Sequence, residues 1–99
     1  IFAQGANIPA TPEAEARMHE RGIVSLPDFI ANAGGVICGA VEYAGGTKSE
    51  ALETINTRVR ANTAAMLQRS AETGELPRAA AMHRALARIE AAMAVRRHR

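Results

Sequence analysis

Apolar and polar positions change their period along this chain. Ile1-Phe2-Ala3-Gln4 and Ile23-Val24-Ser25-Leu26 are short, mostly apolar runs. Runs of that length, closed by turn residues, predict buried strands. Gly5-Ala6-Asn7 turns the chain after the first, and Pro9 forbids helix there. Pro27 and Asp28 end the second. Between them Thr11 is placed as an N-cap, with Pro12 at the first helical position and Glu13 in the first turn. Arg17, His19 and Arg21 fall toward the end of this helix, and Gly22 supplies a left-handed cap. Residues 29–33 read as a transition. Asn32 is expected to cap a helix running from near Ala33 to about Ala44, stopped by Gly45-Gly46. Gly34 and Gly35 in its first turn each cost about 1 kcal/mol relative to alanine. Such glycines imply a need for close backbone approach at the helix start.

The second half has helical period throughout. Thr47-Lys48-Ser49-Glu50 is a capping box, hydroxyl and carboxylate each satisfying an amide of the other. Leu52, Ile55, Val59 and Met66 follow on one stripe. Gly74 and Pro77 mark the next boundary. Met82, Leu86, Ile89 and Met93 then form a second stripe, predicted to be core or a domain contact, with Arg84, Arg88 and Glu90 off it. Arg96, Arg97 and Arg99 suit the negative end of this last helix. The order is strand, helix, strand, helix, long helix, long helix, an α/β chain with a βαβ unit. Two strands alone make no stable sheet. With an opening at Ile1-Phe2-Ala3 that lacks methionine, this predicts a piece of a larger domain. Residues 1–46 are its βαβα part, and residues 47–99 are long C-terminal helices packed on it.

Composition narrows the function classes. The chain has 99 residues, 47% of them hydrophobic but only 3% aromatic, and 22 are alanine. Helices must therefore approach closely over small faces. The net charge of +2 is a tail property: residues 1–95 hold nine basic and ten acidic side chains. No basic face is present for a nucleic acid. One cysteine excludes a disulfide framework and a cysteine zinc cluster. His19, His83 and His98 lack metal-ligand spacing. Cys38 sits among apolar neighbours and is expected to be a buried, inert thiol. No run is long enough to span a membrane, and no signal-peptide pattern is present, so cytoplasm is the expected compartment, without a membrane partner.

Candidate chemistry lies in two asparagine-bearing turns, Gly5-Ala6-Asn7 and Asn32-Ala33-Gly34-Gly35-Val36. Each follows a strand, and parallel sheets bind ligands beyond the carboxyl ends of their strands. A carboxamide offers donors and an acceptor without charge. Residues 5–43 strongly resemble the C-terminal half of the nucleotide-binding domain of the Glu/Leu/Phe/Val dehydrogenases. The resemblance is carried by Gly5-Ala6-Asn7, Thr11-Pro12-Glu13-Ala14, Arg21-Gly22-Ile23, Pro27-Asp28 and Ala31-Asn32-Ala33-Gly34-Gly35-Val36. It implies a Rossmann-like fold, NAD or NADP as cofactor, and oxidative deamination of an L-amino acid to a 2-oxo acid and ammonia. It implies a cofactor-side set of Gly5, Ala6, Asn7 and Asn32, with Asn7 beside the nicotinamide ribose. It also implies a substrate-side set of Asn32, Gly35, Val36 and Gly39. Glutamate-specific members typically carry serine where this chain has Gly39. A homo-oligomer is implied for the intact enzyme.

Other parts of that machinery are not in this sequence. There is no G-x-G-x-x-G turn. The family's catalytic lysines and aspartate lie in its other domain, and the single lysine here, Lys48, sits in the capping box. The chain alone is therefore expected to be inactive. The alternative is a non-enzymatic interaction module, in which the two long helices bind a partner or a second copy.

Overall fold

A computed structural model describes residues 1–96. Strand β1 (Phe2–Ala3) is followed by α1 (Pro12–Glu20), β2 (Ser25–Leu26), α2 (Asp28–Ala31), α3 (Gly34–Tyr43), α4 (Lys48–Thr73) and α5 (Pro77–Arg96). β1 and β2 pair in parallel, Phe2 opposite Ser25 and Ala3 opposite Leu26. Phe2 N donates to Val24 O at 2.8 Å, and Gln4 N to Leu26 O at 3.2 Å. The described residues are thus mostly helical, with two short parallel strands joined across α1.

Local signals place most boundaries. Thr11 Oγ1 accepts from Ala14 N at 3.1 Å and starts α1. The capping box forms in full at α4: Glu50 N donates to Thr47 Oγ1 at 3.2 Å, and Thr47 N to Glu50 Oε2 at 2.8 Å. Gly74 ends α4 at φ +75°, where a side chain would be strained. Gly46 has a different reason: a Cβ there would lie 2.5 Å from Val41 Cγ1 and 3.0 Å from Val41 O.

The first run is not a buried strand, since Phe2 and Ala3 of β1 are both exposed while Ser25 of β2 is buried; three further expectations are corrected. Asn32 does not cap α3. It closes α2, its N–H donating to Asp28 O at 2.8 Å, while Ala33 stands before α3 with helical dihedrals and no side-chain cap. The transition at 29–33 is largely this extra turn, because Pro27 O accepts from both Ile30 N and Ala31 N. Second, the α5 stripe is not core. Met82, Leu86, Ile89 and Met93 are all about half exposed, while Ala80 and Ala81 of the same helix are buried. The small side of α5 faces α4: Ala80, Arg84 and Ala87 share one groove with Ala65, Gln68 and Arg69. Alanines let the helices approach, so the larger residues point away. Third, Cys38 is only partly buried. Its Sγ donates to Glu42 Oε1 at 3.6 Å, and burial together with the Glu42 charge pushes the thiol up, which keeps it protonated and inert at neutral pH.

Met66, Ala80 and Ala81 form the core cluster, with Leu26 and Ile30 packed against it. On the α4 stripe Met66 is buried, Ile55 and Val59 are half-buried, and Leu52 is exposed. Arg96 ends α5; the expectation for Arg97 and Arg99 lies outside the described residues. Among the described residues no helix is long and apolar enough to cross a membrane.

Met66→Ala should lower unfolding stability by about 2–4 kcal/mol, as for a buried side chain in a core that cannot collapse around the cavity. Leu86→Ala should change it by only about 0.5 kcal/mol. Urea titrations followed by circular dichroism compare the two, and equal losses would contradict the outward orientation of the α5 stripe.

Candidate functional site

The two parallel strands deliver their carboxyl ends side by side, and the chain turns twice there. After β1, Gly5 N donates back to Ala3 O at 3.1 Å. Three residues on, Ile8 holds φ +49°, a left-handed conformation that is rare for a β-branched side chain. Its N–H donates to Asp28 Oδ2 at 2.9 Å. Asp28 opens α2, which follows β2 directly, and Asn32 closes that helix. The two turns meet where Asn32 Nδ2 donates to Asn7 Oδ1 at 2.9 Å. Among the described residues, Asn7 Nδ2 and Asn32 Oδ1 have no other hydrogen-bond partner. The pair therefore offers a donor and an acceptor, both uncharged, to a ligand amide or carboxylate.

Beneath the pair lies a charged cluster. Arg78, in the first turn of α5, donates from Nε to Glu15 Oε1 at 2.8 Å and Oε2 at 3.1 Å. Its Nη2 donates to Asp28 Oδ1 at 2.9 Å and to Gln4 Oε1 at 3.3 Å. Gln4 Nε2 donates in turn to Ser25 Oγ at 2.9 Å. The guanidinium also stands 5.5 Å from the centre of the Phe29 ring. Gln4, Glu15, Ser25 and Asp28 are all buried. The Ile8 N–H holds the Asp28 carboxyl below its ordinary value against the effect of burial, and Arg78 adds to the lowering. Burial opposes the charge on Arg78, but its bonds to Glu15 and Asp28 outweigh that and hold its pKa above the usual one.

The structure brings Gly5, Ala6, Asn7 and Asn32 into one surface patch. Gly35, Val36 and Gly39 are not enclosed. They lie on adjacent positions of one exposed face of α3, Val36 is 79% exposed, and a Cβ on Gly35 or Gly39 would meet nothing within 4 Å. Gly34 packs toward α4, where a Cβ would touch Ile55 at 3.7 Å. Grooves among the described residues run along α4 and α5, beside His19 and Leu67, and between α1 and the start of α5, where Glu15 and Arg78 line one. Among those residues no three potential metal ligands gather. Sequence reasoning missed Arg78 and its acceptors. A signal was present: a cation directly after Pro77, at the positive end of a helix dipole, is unfavourable unless carboxylates wait for it.

This geometry sits on a sequence of recognisable kind. Residues 1–97 match the pattern of the Glutamate/Leucine/Phenylalanine/Valine dehydrogenases, and the chain belongs to that family. It is 54% identical over 43 residues to the NADP(+)-dependent glutamate dehydrogenase of Pyrobaculum calidifontis, covering 43% of this chain and 10% of that protein. It is 41% identical over 69 residues to the glutamate dehydrogenase of Aeropyrum pernix, covering 64% of this chain and 16% of that one. The NADP-specific glutamate dehydrogenase of Saccharolobus shibatae is 48% identical over 44 residues, 44% of this chain and 10% of that protein. The chain thus spans between 10% and 16% of the length of these relatives. No solved structure matches it.

The lowered Asp28 carboxyl fixes the sign of an acid effect. Its stabilisation is complete above the ordinary aspartate value of 3.8 and is lost as pH falls through the lower folded value. Unfolding free energy should therefore fall as pH drops below 3.8, and this contribution is exhausted once the lower folded value is passed. Asp28→Asn should flatten the slope, leaving the part due to Glu75, which Arg69 holds down in the same direction. Urea titrations across the acid range measure both slopes, and identical slopes would assign the effect elsewhere.

Proposed function

We propose that this chain supplies the nicotinamide-side part of the site of an NAD(P)-dependent amino-acid dehydrogenase. The whole enzyme would deaminate an L-amino acid oxidatively to a 2-oxo acid and ammonia. The single observation that carries this reading is the Asn7–Asn32 bond at the carboxyl ends of two parallel strands. Family membership supports it, as do the names of the relatives, two of which specify NADP. We further read the βαβα part as belonging to a Rossmann-like domain.

The donor set suits the group. A nicotinamide carboxamide needs an acceptor for its NH₂ and a donor for its carbonyl, and Asn32 Oδ1 and Asn7 Nδ2 are one of each. A bound nicotinamide would supply the hydride acceptor for the substrate Cα. The two asparagines hold and orient; neither can take up the proton that leaves. Hydride transfer is sensitive to placement, so orientation alone carries rate. Gly35, Val36 and Gly39 would border the substrate side chain from the α3 face. Gly39 has no hydroxyl to hold a side-chain carboxylate, so apolar amino acids belong in the assay beside glutamate. Lys48, the single lysine, is at the first turn of α4 and outside the patch. On this reading the chain by itself is inactive.

The exposed Met82, Leu86, Ile89 and Met93 face favours a second reading, a helical interaction module without catalysis. Kinetics separate the two. In the product of the complete reading frame that carries this chain, Asn32→Ala should lower kcat/KM about tenfold or more, a loss of about 1.4 kcal/mol of transition-state stabilisation. Asn7→Ala should raise the KM for the cofactor. A dehydrogenase that keeps both parameters in both variants would refute the assigned roles. A product with no amino-acid-dependent reduction of NAD or NADP would favour the interaction module.

A further inference from the structure

We propose that Arg78, in the first turn of α5, is a positioning residue for the Asn7–Asn32 pair, acting through Asp28. Its importance for catalysis rests on the dehydrogenase reading above; the positioning itself does not.

The relay can be followed atom by atom. The two Asp28 oxygens have separate tasks: Oδ2 accepts from Ile8 N at 2.9 Å, and Oδ1 from Arg78 Nη2 at 2.9 Å. Ile8 follows Asn7 directly and is held at φ +49°. A β-branched residue stays in that region only when its surroundings impose it. Packing cannot do so, because Ile8 is 80% exposed. The hydrogen bond to Asp28 is what remains. On the other side, Asp28 O accepts from Asn32 N at 2.8 Å. The Asp28 carboxylate therefore holds the backbone beside Asn7, its main chain starts the turn that Asn32 closes, and Arg78 fixes the carboxylate. The same Nη2 reaches Gln4, next to Gly5 in the first turn. Nε faces Glu15 on α1, which stops the guanidinium from swinging away. Were Arg78 only a fastener for α5, the Glu15 pair would suffice. The contacts of Nη2 reach the segments flanking both turns.

Lysine cannot replace this arrangement. Its ammonium is a point charge without a fixed fork, and it cannot serve Glu15, Asp28 and Gln4 together at these angles. Arg78→Lys keeps a cation among the carboxylates, so the protein should still fold where Arg78→Ala could fail.

The test reads the side-chain amides of the ¹⁵N-labelled 99-residue chain. Asn7→Ala removes the acceptor and gives the reference position of a released Asn32 Nδ2. Arg78→Lys and Asp28→Asn should both shift the Asn32 Nδ2 signals toward that reference, with the backbone amide of buried Met66 unmoved. Asn32 signals that stay in place would overturn the relay. So would Met66 moving as far as Asn32, because Arg78 would then be structural only. In the complete dehydrogenase, Arg78→Lys should lower kcat about tenfold with less than a twofold change in the amino-acid KM. Shifted Asn32 signals with unchanged kcat would keep the relay and reject the dehydrogenase role of the pair; unshifted signals reject the relay whatever the kinetics.

Discussion

Arg78 stands where a cation is electrostatically unwelcome, in the first turn of a helix whose N-terminal amides already carry partial positive charge. It is kept there by Glu15 and Asp28, whose side chains are only 7% and 11% exposed. Each of the three is unfavourable without the others. Buried carboxylates need a partner, and breaking a buried ion pair by removing one member costs roughly 3–5 kcal/mol. Here the figure belongs at or below the low end, because a third of the Arg78 side chain meets solvent. The consequence is topological. One guanidinium joins α1, α2 and α5 to Gln4, the residue that follows β1. The two-stranded sheet does not hold these pieces together by itself.

The sparse core follows from composition. With so many alanines and few aromatics, the protein gains burial by bringing helices close rather than by filling space with large side chains. Met66 seated against Ala80 and Ala81 is that solution at its centre. It has a directional effect, since the side of α5 that fits closely against α4 is the alanine side. The methionines, leucine and isoleucine of α5 are left on the opposite face. The charged cluster and the alanine contact thus act at the same end of α5, and together they set its angle over the rest of the chain.

Much of the local structure was legible in the sequence because it is encoded within four or five residues. The Thr11 cap, the Thr47–Glu50 box and the glycines at 22 and 74 each act on their own helix end. What was not legible depends on distance along the chain. Arg78 meets Glu15, Gln4 and Asp28 across 63, 74 and 50 residues, and no period records such pairings. The period of the α5 stripe defines a face but not which side its neighbour occupies. Asn32 was placed as a cap because a cap is what asparagine most often does before a helix. Pro27 changed that outcome by starting α2 one turn earlier, so that Asn32 ends one helix and has its amide free for Asn7. Parallel strands sharing an edge bring the two asparagine turns to one side, but the bond itself spans 25 residues, beyond the reach of any local pattern.

The chemistry of the patch also divides along these lines. The two side chains that face outward are carboxamides, which hold an orientation over the whole pH range of an enzyme but transfer no protons. The ionised group nearest them, Asp28, is turned inward, carries two hydrogen bonds and has its pKa lowered. A carboxylate whose pKa is lowered is a weak base at neutral pH, and both of its oxygens are already engaged. Arg78 cannot give up a proton at all. The charges in this part of the molecule therefore fix geometry, and the neutral amides present it. A surface built this way can hold a ligand in one orientation, while none of these groups is placed to take up or release a proton.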